Sequence, residues 1–209
     1  MDIKQIRQMI TSAFSHENNT GFAANAVRNF AQLMGRRVSD ADVQGTVDFI
    51  KEYIQHVPAL LEEVEKAARK AGIRNQVLPI LQAAEQYFLQ PLDAIPDNLG
   101  LLGLMDDAYL AHCLFQSVSD RHRQNTGQAL LGTDMTAANR VIRVLIGEPI
   151  ATTLDMSVMS VLQGPTIQQA IQQLMNFAAQ SPINVPDPIY GNASIDDIVK
   201  VRLGAIGIF

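Results

Sequence analysis

Residues 87–115 read YFLQPLDAIPDNLGLLGLMDDAYLAHCLF. The stretch is mostly apolar, yet it carries Asp93, Asp97, Asp106 and Asp107. Pro91 and Pro96 bracket the residues LDAI. A proline lacks a backbone donor and pushes the residue before it toward an extended conformation, so a helix does not run comfortably through this pair. Gly100 and Gly103 relieve the backbone beyond them and permit close approach. The chain is therefore expected to turn between a helix ending at Leu89 and another opening near Asp107. That reading sets the fold class: an all-α, compact multi-helix bundle with a central proline-bent helical hairpin.

Each acid has an ordinary structural use. Asp93 and Asp97 follow prolines, where a carboxylate accepts backbone N–H bonds a few residues ahead. Asp106 is placed to cap the helix opening at Asp107, and Asp107 sits where the helix field favours negative charge. A second reading competes with this one. If the four carboxylates converge, their repulsion calls for a counter-charge, which a hard divalent cation such as Mg²⁺ supplies through oxygen ligands. The site would then suit metal-dependent hydrolysis or acid–base chemistry at Asp93, Asp97, Asp106 and Asp107.

The pattern also resembles a family. An aromatic helix end (Tyr87, Phe88) is followed by Pro91-x-Asp93-x-Ile95-Pro96-Asp97. An apolar stretch with Gly103 comes next, and then the pair Asp106-Asp107 opening an apolar helix. In this order the elements are similar to the signature of the YkvA-like family, a bacterial domain-of-unknown-function family, and they cover about residues 75–118. The departure is Asn98-Leu99-Gly100, where the family often has a proline. The resemblance implies a compact helical hairpin module and no particular reaction. Some members look membrane-associated, which adds weight to a peripheral membrane contact.

Outward from this segment, nearly every stretch reads as helix. Ile3, Ile6 and Ile10 recur at helical spacing until HENNTG breaks the pattern. Phe22, Ala26, Val27 and Phe30 mark a second helix ending near Gly35. Ser39 followed by Asp42 is an acidic capping arrangement before the stripe Val43, Val47, Ile50, Ile54 and Val57. Pro58 is expected to start a new helix. Glu62 with Lys66 and Glu65 with Arg69 lie four apart in the favourable order, and Gly72 is a stop. A helix over Asn75–Leu89 carries Pro79 near its start. Past the hairpin, SDRHRQNTG reads as a polar loop. A short helix runs from Asp134 or Thr136 to Ile146. ATTLDMSVMSVLQG has weak periodicity, and Thr166–Ala179 is a clearer helix. SPINVPDPIYGN reads as an extended linker, and Ser194 as the cap of a last short helix before the apolar tail LGAIGIF. The expected division is a helical body over residues 1–148 and an accessory region over 149–209.

The chain has 209 residues and 47% apolar content, enough for a core. Its net charge of −5 disfavours bulk nucleic-acid binding. The single cysteine, Cys113, excludes an internal disulfide and suits a reducing compartment; it reads as a small buried hydrophobe. The start MDIKQIRQMI lacks the features of a signal peptide. Leu99–Val118 approaches a membrane span in length but holds Asp106, Asp107 and His112, which are expensive in hydrocarbon. The expected location is therefore the cytoplasm, with peripheral membrane contact left open.

His16, His56, His112 and His122 show no zinc-ligand spacing. No phosphate loop, dinucleotide fingerprint or nucleophile elbow occurs. Ser117, Ser119, Asp120 and His122 read as polar loop rather than as a triad, because triads form in space and not by sequence proximity. Met135, Met156, Met159 and Met175 read either as core or as a deformable face for a partner. The functional expectation is a non-enzymatic interaction or self-association module with a protein partner or a second copy, no nucleic acid and no cofactor. The carboxylate enzyme is the alternative.

Overall fold

The structure is a computed structural model, and it describes residues 1–70, 72–89, 95–96, 99–127 and 130–177. Those residues form eight α-helices, with no β-strand among them. They are α1 (Ile3–Thr20), α2 (Phe22–Leu33), α3 (Asp40–Lys70), α4 (Arg74–Leu89), α5 (Gly103–Thr126), α6 (Thr136–Ile146), α7 (Ile150–Gln163) and α8 (Pro165–Phe177). The expected all-α bundle is what the chain forms. The linker, the Ser194 cap and the apolar tail lie outside the described residues.

α1 runs straight through the HENNT segment that reads as a break. The true stop is Gly21, whose φ of 62° only glycine adopts cheaply and whose N–H bonds the Glu17 carbonyl at 2.8 Å. Glu17 is buried, and its carboxylate accepts the N–H groups of Ala23 (2.8 Å) and Ala24 (3.2 Å). An acid on α1 thus caps the orphan donors at the start of α2. The α2 face that turns inward is Ala23, Val27 and Ala31, while Phe22 stays exposed.

α3 is one helix. Ser39 and Asp42 form the expected box: the Asp42 carboxylate accepts from Ser39 N–H at 2.9 Å, and Ser39 Oγ accepts from Asp42 N–H at 3.2 Å. The Ser39 bonds hold the Asp42 carboxyl below its usual range. Pro58 does not restart the helix but sits inside it. An interior proline costs about 3 kcal/mol. Against that, Val57, Leu60, Leu61 and Val64 are all buried, and each large aliphatic side chain contributes roughly 1.5–3 kcal/mol. Packing on both sides of the proline therefore outweighs its local penalty. α3 ends in a Schellman turn, with Ile73 N–H on the Ala68 carbonyl (2.9 Å) and Gly72 N–H on that of Arg69 (3.1 Å). On its surface Glu65 pairs with Arg69 at 2.7 Å, but Glu62 pairs with Arg7 of α1 at 2.8 Å and not with Lys66.

α5 is the central helix. It packs against α3, α4, α6, α7 and α8, and it is buried nearly all round, as a core helix should be. It also starts earlier and ends later than its sequence suggests: SDRHRQNT is helical, not a loop. Gln116 Oε1 accepts Met135 N–H at 2.8 Å, and Ser119 Oγ accepts Leu131 N–H at 3.3 Å. These polar side chains therefore face inward, where they hold the backbone that leads into α6. α7 and α8 close the bundle, and Leu154, Val158, Leu162, Ile167, Ile171 and Leu174 join the same buried cluster as α1–α6.

Candidate functional site

The hairpin acids come first. Asp106 and Asp107 lie at the start of α5, and both are buried. Asp106 does not cap the helix: the cap position belongs to Leu102, and Asp106 sits in the first turn. Its Oδ2 accepts the N–H of Ile95 at 3.0 Å, so it fastens Ile95 to the first turn of α5. Asp93 and Asp97 lie outside the described residues. Among the described residues no group of three or more His, Cys, Asp or Glu side chains is placed to hold a metal ion.

The turn before α5 is shaped by α1. Gly100 has φ of 64°, and a Cβ there would lie 2.6 Å from His16 Cδ2. The His16 ring rests on that backbone and packs against Phe22 with ring centroids 5.5 Å apart. Leu99 N–H closes the turn on the Pro96 carbonyl at 3.0 Å.

A buried aromatic and imidazole cluster joins α3 to α5. His112 has no exposed surface. Its Nε2 meets the Tyr53 carbonyl oxygen at 3.0 Å, and its Nδ1 has no hydrogen-bond partner. The His56 ring stacks on it at 5.2 Å with a 19° interplanar angle, and the Tyr53 ring lies 4.4 Å away. Tyr53 in turn donates its hydroxyl to Asn139 Oδ1 of α6 at 2.7 Å. Burial, and then the neighbouring His56, push the His112 pKa down to about 3. The ring is neutral at physiological pH.

A second polar cluster joins α5, α6 and α7. Tyr109 donates to Asp155 Oδ1 at 2.6 Å, and Arg143 Nε donates to Asp155 Oδ2 at 2.9 Å. Arg143 also meets Glu148 at 2.8 Å. Burial raises the Tyr109 hydroxyl well above its usual range and pushes the nearby Cys113 thiol up to about 12. A thiol held protonated in this way is a poor nucleophile. Both clusters are ties between helices. Sequence reading missed them because a partner such as Tyr53–Asn139 or Tyr109–Asp155 is set by the tertiary path. The one local signal is that Tyr53 and His56 lie beside the apolar stripe of α3.

The outer surface differs from one end of the chain to the other. Residues 149–177 contain one charged side chain, Asp155, and it is already held by Arg143 and Tyr109. On α7, Thr152, Met156, Met159 and Gln163 are exposed at alternating spacings of four and three, with Met156 at 68% and Met159 at 49%. Met135 is buried and Met175 packs against the core, so two of the four methionines lie inside and two outside. Exposed Leu33 and Met34 end α2, close in sequence to Arg36 and Arg37. No helix among the described residues is long and apolar enough to cross a membrane.

The fold and these clusters define an all-α bundle whose polar interior groups tie helices together. Within it, residues 82–112 match the model of a family described as protein of unknown function (DUF1232), the YkvA-like family. The match runs from the end of α4 into the first half of α5, so it is a likeness over part of the chain. A search of curated proteins finds no match, and neither does a search of solved structures.

Proposed function

We propose that this protein is a non-enzymatic helical module that self-associates through the outer face of α7 and α8. The observation that carries the reading is the pair of exposed methionines on a helical hairpin almost without charge. A side chain such as methionine adapts to the surface it meets. Spacings of four and three are those of a helix seam that packs against another helix.

The charge pattern selects the partner. The chain carries a net charge of −5, so two copies repel over most of their surface. The α7–α8 face is where that repulsion is weakest, and a two-fold axis there would set the same neutral patch against itself. Nucleic acid and anionic lipid headgroups both call for Lys or Arg, which residues 149–177 lack. The carboxylate enzyme draws no support from the described half of its cluster, since Asp106 is engaged as a fastener.

Light scattering on size-exclusion fractions across a range of protein concentrations tests the reading. The wild type should form dimers or larger species. The double variant Met156→Asp, Met159→Asp should run as a monomer with an unchanged far-UV circular dichroism spectrum. A wild type that stays monomeric at every concentration would end the proposal, as would a double variant that associates as the wild type does. A chain shortened by residues 194–209 separates this face from the apolar tail, and it should still associate.

A further inference from the structure

We propose that His112, stacked on His56, is an acid-operated catch: its neutral ring joins α3 to α5, and proton uptake there releases it. The geometry fixes the tautomer. A carbonyl oxygen only accepts, so the His112 nitrogen facing Tyr53 O at 3.0 Å is the one that carries the hydrogen. Nδ1 is left as a bare lone pair with no hydrogen-bond partner, in a side chain with no exposed surface.

A proton arriving at Nδ1 changes three things together. It places a full charge in an apolar site, creates an N–H with no acceptor, and sets that charge 5.2 Å from the His56 ring. What acts on His112 is burial, the His56 charge and the Tyr53 carbonyl. The other helices packed against α5 bring titratable groups elsewhere. Tyr87 of α4 interacts with Cys113, while Arg143 of α6 and Asp155 of α7 are joined beside Tyr109. α8 carries no titratable side chain. On α5 itself, Asp106 and Asp107 lie more than a turn before His112, at the hairpin. Among the described residues, none of the influences on His112 comes from a carboxylate.

The response has a definite sign. An opened chain binds a proton at His112 in the ordinary histidine range near about 6.5, and the closed one does so only near about 3. Between those values the open form holds more protons, so acid favours it. The ratio of open to closed chains rises by up to about tenfold for each pH unit lost in that window. Because α5 is buried on nearly every side, parting it from α3 exposes the centre of the core.

Urea unfolding of the full chain between pH 7 and 5 tests the catch, above the range where most exposed carboxylates titrate. The wild-type unfolding constant should rise about tenfold or more between pH 6.5 and 5. His112→Gln keeps an amide donor for the Tyr53 carbonyl and cannot take up a proton, so its curve should be flatter over the same interval. Equal pH dependence in the two proteins, or a flat wild-type curve, overturns the proposal. Should the variant fail to fold, ¹⁵N shifts of the wild-type ring decide. His112 should remain the Nε2–H tautomer at pH 5 while the fold is intact, and titration near 6.5 in the folded protein would refute the catch.

Discussion

Asp106 shows how one side chain is read differently by position and by packing. In the sequence it is a helix cap; in the fold it is a buried acceptor for Ile95 N–H, eleven residues back along the chain. A fastener of this kind has a measurable consequence. Asp106→Ala leaves a backbone donor in the interior without its partner, and should lower the unfolding free energy by about 1–3 kcal/mol. Asp106→Asn keeps an acceptor oxygen in the same place and should recover part of that loss. Chemical denaturation of the three proteins measures both steps. An Asn variant as unstable as the Ala variant would count against the hydrogen bond as the source. His112, His56 and Asn139 behave likewise at this scale: each is polar, buried, and tied to a partner on another helix. Their residue types were visible from the start. Their partners were not, because nothing local relates Tyr53 to Asn139 or Tyr109 to Asp155.

Helix ends and helix interiors were legible to different degrees. Ser39 with Asp42, Gly72, and the span of α4 follow from short-range rules that act within a turn or two, and the structure keeps them. The departures come where tertiary packing outweighs a local preference. α3 continues through Pro58 because buried aliphatics flank it on both sides, and α1 continues through HENNT because Glu17 is needed at the start of α2. α5 extends to Thr126 because Gln116 and Ser119 find backbone donors inside the bundle. The joint between elements makes a prediction at this scale. Gly100→Ala places a methyl group 2.6 Å from His16 Cδ2 at a positive φ, so both sterics and backbone strain oppose it. It should destabilise the chain by roughly 1–3 kcal/mol. Adding His16→Ala should relieve the contact part and leave the strain of about 1 kcal/mol. Thermal melts of the single and double variants separate the two, and complete rescue by His16→Ala would show that backbone strain is negligible.

At the scale of the whole molecule, α5 holds the bundle together while the α7–α8 face meets solvent almost without charge. The central helix makes the prediction here. Leu114 is fully buried, and Leu114→Ala should cost about 2–5 kcal/mol. Amide exchange should show that loss in helices on every side of α5, α8 included. A loss confined to α5 and one neighbour would mean that the bundle does not unfold as a unit. The apolar pattern of the chain by itself determined that it is all helix, since periodicity, caps and prolines act through neighbours close in sequence. The order of prolines and acids, a linear property, also marked about residues 75–118 as family-like, and residues 82–112 match the family model. Only the tertiary structure decided which helix is central, which prolines are tolerated, which methionines remain outside, and that two histidines stack in the core. Those outcomes depend on contacts between segments far apart in the chain, where burial is worth more than any local preference.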